Sequence, residues 1–390
     1  MNEANMGPAA FARRNPGVDL RDAIRHFKRL EDLECIELVE RSRGRGREHI
    51  YRPVRRALFD ASSWLAVPDE RKAGVTGEAM STFMDRVAHA ARCGTLDART
   101  NRHVTWTALQ FDEVGWREFL PAMNSAFYAS LQLHIDAALR MRTSGEQPIP
   151  LTVGLFCFES PENADGLAAA KLKTDFTDAF VGLRDDPEAA TPRMVRILVE
   201  LNKRLMSANA FHRRFGTGSL KQVANDFRRL ESMNLIELVN RRSRRGRGGG
   251  ERVYRAVQRS LFDEDAWRAL PASIRAEITG VTYTTFVERV AEAAAAGTLT
   301  CRDDLHFTWT GMHYDERAWT EMLGILLDLF KLSLRVHEDS AERQLGTPAT
   351  PVTVGISCFE SPSFAQASSL DTMESFLAAG TGPKPFRPAF

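Results

Sequence analysis

The chain has 390 residues, of which 26% are charged, and its basic and acidic side chains nearly cancel to a formal net charge of +1. This length suits two or more domains, each able to bury its own core. The balanced charge excludes a protein that binds polyanions through its overall charge, so any nucleic-acid surface has to be local. The five cysteines include no Cys-x-x-Cys pair, which argues against a disulfide framework or a structural zinc site and fits a reducing cytoplasm.

The N-terminal residues Met1 to Met6 lack the apolar core of a signal peptide. No stretch of the chain approaches the ~20 apolar residues of a membrane span. We therefore expect a cytoplasmic protein without a membrane partner.

Taken from its start, the chain presents the same unit twice, displaced by about 200 positions. The first copy contains Phe27, Arg29, Leu30 and Glu31 followed by Ile36 to Val39, and the second contains Phe227, Arg229, Leu230 and Glu231 followed by Ile236 to Val239. The tryptophans fall into equivalent pairs: Trp64 with Trp267, Trp106 with Trp309, and Trp116 with Trp319. We interpret this pattern as an internal duplication.

Residues 1–60 correspond to the helix, strand and Arg/Gly run of the second copy, with a run from Arg41 to Tyr51 that is a little shorter. They contain no counterpart of that copy's first helix. Either another segment fills this place, or the true start codon lies further upstream.

Residues 61–161 follow as a module of helices and strands. A helix is predicted from Met80 to Ala91, a strand from His103 to Thr107, and a long helix from the N-cap Asp112 to Arg142, kinked at Pro121. The module closes with an apolar strand and the residues Phe158 to Pro161.

Residues 162–191 are predicted to be a linker with a helix from Leu167 to Leu183, and residues 192–263 to be the second copy of the N-terminal domain. This copy begins with a helix from Pro192 to Lys203, continues with a short helix up to Phe215, and breaks at Gly216 to Gly218. A helix from Leu220 to Met233 follows, which is the order of a helix-turn-helix. Leu220, Ala224, Phe227 and Leu230 recur every three or four residues, so we expect them to form its packed face.

The strands after this helix are predicted to form a hairpin, or wing. Leu235 to Val239 and Arg252 to Arg255 read as strands, and the Arg/Gly run from Arg241 to Gly250 reads as a cationic tip. A helix fits the major groove of DNA, where Asn or Gln pairs with adenine and Arg with guanine, while tip arginines suit the phosphate backbone. The candidate DNA-binding residues are Arg21, Asp22, Arg25, Lys28, Arg29, Arg43, Arg45 and Arg47, and Lys221, Gln222, Asn225, Arg228, Arg229, Arg244, Arg245 and Arg247.

Residues 264–362 repeat the second module. A helix is predicted from Thr284 to Ala296, a strand from His306 to Thr310, and a long helix from Asp315 to Arg343 that is apolar almost all round. We expect the two long helices to pack against each other at the centre of an intramolecular pseudo-dimer. The tail, residues 363–390, has an apolar-patterned piece from Leu370 to Ala378 and then a Gly/Pro-rich composition typical of disorder.

The sequence resembles the ArsR-type winged helix-turn-helix transcription regulators, especially an actinobacterial branch with a C-terminal helix-and-strand domain. The resemblance covers most of each unit and rests on Phe227 to Glu231, Ile236 to Val239, Tyr254 to Ala256, Leu261 to Asp263 with Trp267, and Phe359 to Pro362. It implies a DNA-binding regulator whose relatives are dimers with one unit per chain. The cysteine pair that metal-sensing members carry is absent, which argues against a metal-sensor role.

Three other groups of residues were weighed. Cys157 and Cys358 could act as nucleophiles with His103 or His306, but each shares its strand face with apolar residues, which favours a buried thiol. His89 and Cys93 lie one helical turn apart, but the second unit has Glu292 and Ala296 there, so no metal site is predicted. The recurring His103, Thr105, His306 and Thr308 either line a ligand pocket or lie on a surface strand.

The sequence therefore predicts an α+β, mainly α protein: two winged helix-turn-helix domains, each followed by a helix-and-strand domain for dimerisation or effector binding. We expect a monomer with internal two-fold symmetry that regulates transcription at an imperfectly palindromic or asymmetric operator, with double-stranded DNA and an unidentified small-molecule effector as partners. No catalytic triad, phosphate loop or carboxylate pair recurs, so neither an enzyme nor a cofactor is predicted. The alternative is a ligand-binding or protein-interaction module in which only the second winged helix contacts DNA.

Overall fold

The computed structural model describes residues 6–14, 17–41, 49–53, 64–161, 191–203, 205–242, 251–256, 267–268, 270–343 and 350–362. Within these ranges the chain is α+β and mainly helical, as the sequence predicts. The first half forms α1 (Pro8–Arg14), α2 (Leu20–Asp32), β1 (Ile36–Arg41), β2 (His49–Pro53), α3 (Asp69–Arg92), β3 (His103–Phe111), α4 (Glu113–Ser144) and β4 (Ile149–Glu159). The second half forms α5 (Pro192–Lys203), α6 (Ala208–Phe215), α7 (Leu220–Ser232), β5 (Ile236–Arg242), β6 (Glu251–Ala256), α8 (Ala272–Ala296), β7 (His306–Tyr314), α9 (Glu316–Arg343) and β8 (Thr350–Glu360).

The elements α1, α2, β1 and β2 form a first helix–hairpin unit, and α5, α6, α7, β5 and β6 form a second. Both hairpins are antiparallel and carry a bulge at the same place, between Leu38 and Glu40 and between Leu238 and Asn240. In both, a residue before the first shared helix bridges to the second strand, Met6 to Tyr51 and Met206 to Tyr254. The predicted repeat is therefore present in the backbone pairing.

The packed face of α7 differs from the sequence prediction. Val223, Phe227 and Leu230 are buried, whereas Leu220 is 42% exposed and Ala224 is only partly buried. The prediction for Leu220 was wrong because this residue is the first of the helix and lies beside the turn rather than over the core. The polar face is as predicted.

The other elements form a central body: α3, α4, α8, α9 and a four-stranded antiparallel sheet in the order β3, β8, β4, β7. The two closing apolar strands, β4 and β8, pair with each other at the centre. Each outer strand pairs with the closing strand from the other half of the chain: β3 pairs with β8, and β7 pairs with β4. The predicted domains 61–161 and 264–362 therefore share one sheet, an exchange of strands that the sequence pattern did not reveal.

Helices cover both faces of this sheet. On one face, α4 and α9 pack with Val153, Leu155, Val354 and Ile356, among others, in one apolar cluster. On the other face, α3 and α8 pack with Phe156, Phe158 and Phe359. The outer strands β3 and β7 are partly covered: their His/Thr face meets the long helices, and their tryptophans donate hydrogen bonds to α8 and α3.

Two equivalent glycines in the central strands allow this packing. A Cβ atom on Gly154 would lie 2.8 Å from Cε2 of Phe83, and one on Gly355 would lie 2.8 Å from Cε2 of Phe286. Both distances are well inside van der Waals contact. Glycine thus lets one phenylalanine of α3 and one of α8 sit directly on the sheet.

The long helices α4 and α9 pack against each other, as predicted. Asp112 and Asp315 cap them by accepting hydrogen bonds from the backbone N–H groups of Gly115 and Ala318, at 2.7 and 2.8 Å. Its composition, apolar almost all round, predicts that α9 is buried on several sides; one of its apolar residues, Leu327, is nevertheless 45% exposed. The remaining apolar stripe is enough to bury the face that meets α4 and the sheet.

The helices α3 and α8 begin earlier than predicted, at Asp69 and Ala272 rather than Met80 and Thr284. Their first turns are less apolar, so periodicity alone did not detect them. The predicted helix from Leu167 to Leu183 and the apolar-patterned piece from Leu370 to Ala378 lie outside the described residues. No described helix combines the length and the apolarity that a membrane span requires.

Candidate nucleic-acid interface

The helix α7 begins at a complete capping box. The Ser219 hydroxyl accepts from the backbone N–H of Gln222 at 3.3 Å, and the Gln222 side-chain oxygen accepts from the backbone N–H of Ser219 at 2.8 Å. Before it, Gly216 and Gly218 have φ values of 61° and 74°, a left-handed backbone that favours glycine. The turn between α6 and α7 therefore has a fixed geometry.

The five candidate residues on α7 are all exposed on the face opposite the core: Lys221, Gln222, Asn225, Arg228 and Arg229. The capping box changes the role of one of them. Because the Gln222 amide oxygen is engaged at the N-terminus of the helix, only its NH₂ group remains as a donor toward a ligand. Asn225 is the better candidate for pairing with adenine.

The equivalent face of α2 is more strongly charged. Arg21, Arg25, Lys28 and Arg29 are exposed, and Asp22 is partly buried. Arg25 donates to Asp22 at 2.8 Å, which orients its guanidinium along the helix surface. Ile24 is 51% exposed beside these cations, a position that the charge pattern of the sequence does not predict.

The hairpins carry equivalent polar contacts near their bases. Arg52 pairs with Glu37 in the first unit and Arg255 with Glu237 in the second. The candidate residues of both tips, Arg43, Arg45, Arg47, Arg244, Arg245 and Arg247, lie outside the described residues. The interface that can be described consists of the two helix faces and the hairpin strands.

The helix α5 holds α7 from the side opposite its exposed face. Met194, Ile197, Leu198 and Leu201 of α5 are at most 1% exposed and lie in one cluster with Phe227 and Leu230. The guanidinium of Arg193 pairs with Asp226, which is 9% exposed. The equivalent of Asp226 in the first unit is His26, which is exposed. Helical periodicity did not predict that Asp226 is buried, because a carboxylate is buried in a helix face only where a cation, here Arg193, pairs with it.

The candidate ligand-pocket residues come together in two equivalent places under the long helices. A ring nitrogen of His103 lies 3.0 Å from the Thr105 hydroxyl, and one of His306 lies 2.8 Å from the Thr308 hydroxyl. The places differ on one side, because the other ring nitrogen of His306 lies 2.9 Å from the amide oxygen of Asn124. The residue that occupies the corresponding position in α9 is the aliphatic Leu327. Burial lowers the pKa of both histidines to about 4, and the Arg102 charge contributes at His103.

The sheet register places each of these histidines opposite a buried cysteine, His103 opposite Cys358 and His306 opposite Cys157. Burial raises the pKa of both thiols well above its usual range. A neutral imidazole beside a neutral thiol lacks the ion pair that activates a cysteine nucleophile. The geometry therefore favours packing over thiol chemistry.

The candidate metal-ligand pair, His89 and Cys93, lies on the surface. The thiol of Cys93 is 4.0 Å from a ring nitrogen of His89, and both residues are exposed. In the described part of the chain no third histidine, cysteine or carboxylate joins a group that could hold a metal ion.

No protein-family model, curated protein or solved structure matches the chain.

Proposed function

We propose that this protein is a DNA-binding transcription regulator in which one chain supplies two winged helix-turn-helix domains, the first and second helix–hairpin units. The observation that carries the proposal is the exposed face of α7. Its buried side is fixed by α5 and its start by a capping box, while Lys221, Asn225, Arg228 and Arg229 are exposed on the opposite face. A rigid helix with cationic and amide side chains on one face suits the major groove.

The central body supports the second half of the proposal, that the chain acts as a covalent pseudo-dimer. In its sheet and long helices, several contacts between the two halves of the chain occur in reciprocal pairs, as the contacts of two subunits do in an isologous dimer. Arg99 donates to Glu316 and Arg302 to Glu113, and each guanidinium stacks on a tryptophan of the other unit. Regulators that read two half-sites use such a body to present two helices.

The two exposed helix faces differ in charge and chemistry, so we expect the two half-sites of the operator to differ in sequence. In α2 the positions Arg21, Asp22 and Arg25 stand where α7 has Lys221, Gln222 and Asn225. A perfectly two-fold consensus would contradict this part of the proposal.

The test is fluorescence-anisotropy binding of the purified chain to the DNA upstream of its gene and to scrambled DNA, across a salt series. We expect one chain per duplex and binding that persists against scrambled competitor.

Asn225→Ala should weaken binding by about 1–3 kcal/mol, and only when its half-site is intact. Replacing Arg244, Arg245 and Arg247 by alanine should weaken all sequences alike and flatten the salt dependence. Equal, weak binding to both DNAs that vanishes with salt would overturn the proposal.

The alternative, that only the second unit binds DNA, is favoured by one observation. Among the described residues, the apolar cluster of the second unit includes four side chains of α5 that are at most 1% exposed, whereas that of the first has only Phe27, Ile36 and Tyr51 as buried members. Arg25→Ala distinguishes the two proposals. It should alter the preference in one half-site if the first unit reads DNA, and change nothing if the first unit is a docking surface.

A further inference from the structure

We infer that Ile24 is a specificity-determining residue that contacts the C5-methyl group of thymine in the half-site read by α2. This inference rests on the proposed function, because it names the base chemistry that one of the two proposed recognition helices selects. The pattern of charged residues alone does not predict a role for Ile24.

The orientation of α2 is fixed by what it buries. Ala23 is fully buried, and Phe27 is 2% exposed. The ring of Phe27 packs edge-on against that of Tyr51, with 5.4 Å between the ring centroids. At 3.6 residues per turn, positions 21, 24, 25 and 28 then share the arc of the helix that looks away from this core. Ile24 is 51% exposed there.

Three cations lie beside Ile24 on that arc. Arg21 precedes it by one turn, Lys28 follows it by one turn, and all three cations, Arg21, Arg25 and Lys28, are exposed. The ion pair between Arg25 and Asp22 turns one guanidinium along the helix rather than over Ile24. An aliphatic side chain is thus accessible at the edge of the cationic face, between Arg21 and Lys28 along the helix axis.

Single exposed aliphatic residues are common and need no explanation by themselves. The position of Ile24 on the helix indicates which group it contacts. A helix that lies in the major groove meets phosphates with its flanking cations, and the apolar group at the base edges there is the thymine methyl. A long aliphatic side chain between flanking cations matches that arrangement.

The same position in α7 shows the contrast. There the residue is Ala224, which is partly buried and too short to reach far from the helix, and its neighbour is the exposed Asn225. Asn pairs with adenine through two hydrogen bonds. The first half-site should therefore depend on a thymine methyl group and the second on an adenine edge.

The experiment starts from duplexes selected from a random library by the full-length chain. Thymines are replaced by uracil, one half-site at a time, which removes only the C5-methyl group. With the unchanged chain, uracil in one half-site should weaken binding roughly fourfold per contacted thymine, the effect expected for one buried methyl-sized group. With Ile24→Ala, binding to the thymine duplex should fall by a similar or larger factor, and uracil should have no further effect in that half-site.

Leu33→Ala is the matched control. Leu33 is 56% exposed but lies at the C-cap of α2, off the cationic arc, so this variant should keep the full response to uracil. Because Ile24 and Leu33 are both exposed, neither change is expected to disturb folding, which circular dichroism checks.

A uracil response that Ile24→Ala leaves unchanged, or no response in the unchanged chain, would overturn the inference while leaving the proposed function in place. Failure of the unchanged chain to select any sequence from the library would instead overturn the proposed function, and the inference with it.

Discussion

The histidines His103 and His306 of the central body, the first partly buried and the second buried, occupy sites where a charged imidazole is unfavourable. His306 is 5% exposed and lies between Asn124, Thr308 and the ring of Phe127, with no carboxylate among these contacts. His103 lies next to the charge of Arg102, which also disfavours its protonation. Their pKa values of about 4 in the folded chain therefore lie below the ordinary value of 6.5.

This difference predicts how stability depends on pH. Below pH 6.5 the unfolded chain binds protons at these histidines, and the folded chain does so only near pH 4. The contribution of these histidines to the free energy of unfolding is therefore at its maximum above pH 6.5 and is lost as the pH falls toward 4. For His306 alone, a difference of about 2.5 pKa units corresponds to about 3 kcal/mol. Urea unfolding followed by tryptophan fluorescence between pH 7 and pH 4 measures the slope.

His306→Gln should flatten that slope, since glutamine keeps a polar side chain but does not titrate. His26→Gln, which makes the same substitution at an exposed histidine on α2, is the control for the substitution itself. An equal slope in His306→Gln and the unchanged chain would show that other groups govern this pH range. Loss of stability at still lower pH is expected from carboxylates whose pKa values are lowered by arginine partners: Asp112, Glu113, Asp315 and Glu316.

At the scale of elements, the helix α5 ties α7 in place through one ion pair and an apolar stripe. Arg193→Met would leave the largely buried Asp226 carboxylate without its guanidinium. We expect a loss of about 2 kcal/mol in the free energy of unfolding and weaker DNA binding by the second unit. Thermal unfolding and anisotropy titrations measure the two effects.

The double variant Arg193→Met with Asp226→Leu is the control for this prediction. It removes the stranded charge and adds apolar area, so it should recover most of the stability. If both variants are as stable as the unchanged chain, α7 is held by apolar packing alone and the ion pair contributes nothing measurable.

The elements that the sequence predicted well are those with a local cause. The periodic apolar residues, the turn glycines Gly216 and Gly218 and the capping carboxylates Asp112 and Asp315 each act within a few residues. The features it missed depend on partners far along the chain. The exchange of β3 and β7 between the two halves of the chain and the burial of Asp226 against Arg193 both follow from tertiary packing, which helical periodicity does not encode.

The candidate site likewise contains residues that the sequence predicted and residues that it did not. The exposed cationic and amide side chains of α2 and α7 lie where periodicity placed them, opposite Phe27 and Phe227. The engagement of Gln222 in its capping box and the accessibility of Ile24 required the folded geometry. In the body, alternation correctly put His103 with Thr105 and His306 with Thr308, but it could not show that helices cover that face.

At the scale of the whole molecule, the two units are held together by contacts that occur in reciprocal pairs. Arg140 donates to Asp315 at 2.6 Å, and Arg343 donates to Asp112 at 2.7 Å. The same reciprocity holds at the sheet edges, where His134 accepts from the backbone N–H of His313 at 3.0 Å and His337 from that of Gln110 at 3.1 Å. Each unit therefore completes the other's core, capping groups and edge strands.

This interleaving predicts that the chain connection between the units can be cut without separating them. A protease site placed between residues 162 and 190 should yield two fragments that co-elute in native size-exclusion chromatography and separate only in denaturant. Each fragment alone would expose the apolar faces of β4 or β8 and of α4 or α9, which are buried against the other unit. Expressed singly, each should therefore aggregate or pair with a second copy of itself, and co-expression should restore the complex. Fragments that separate in native buffer as soluble monomers would show that each unit folds without its partner.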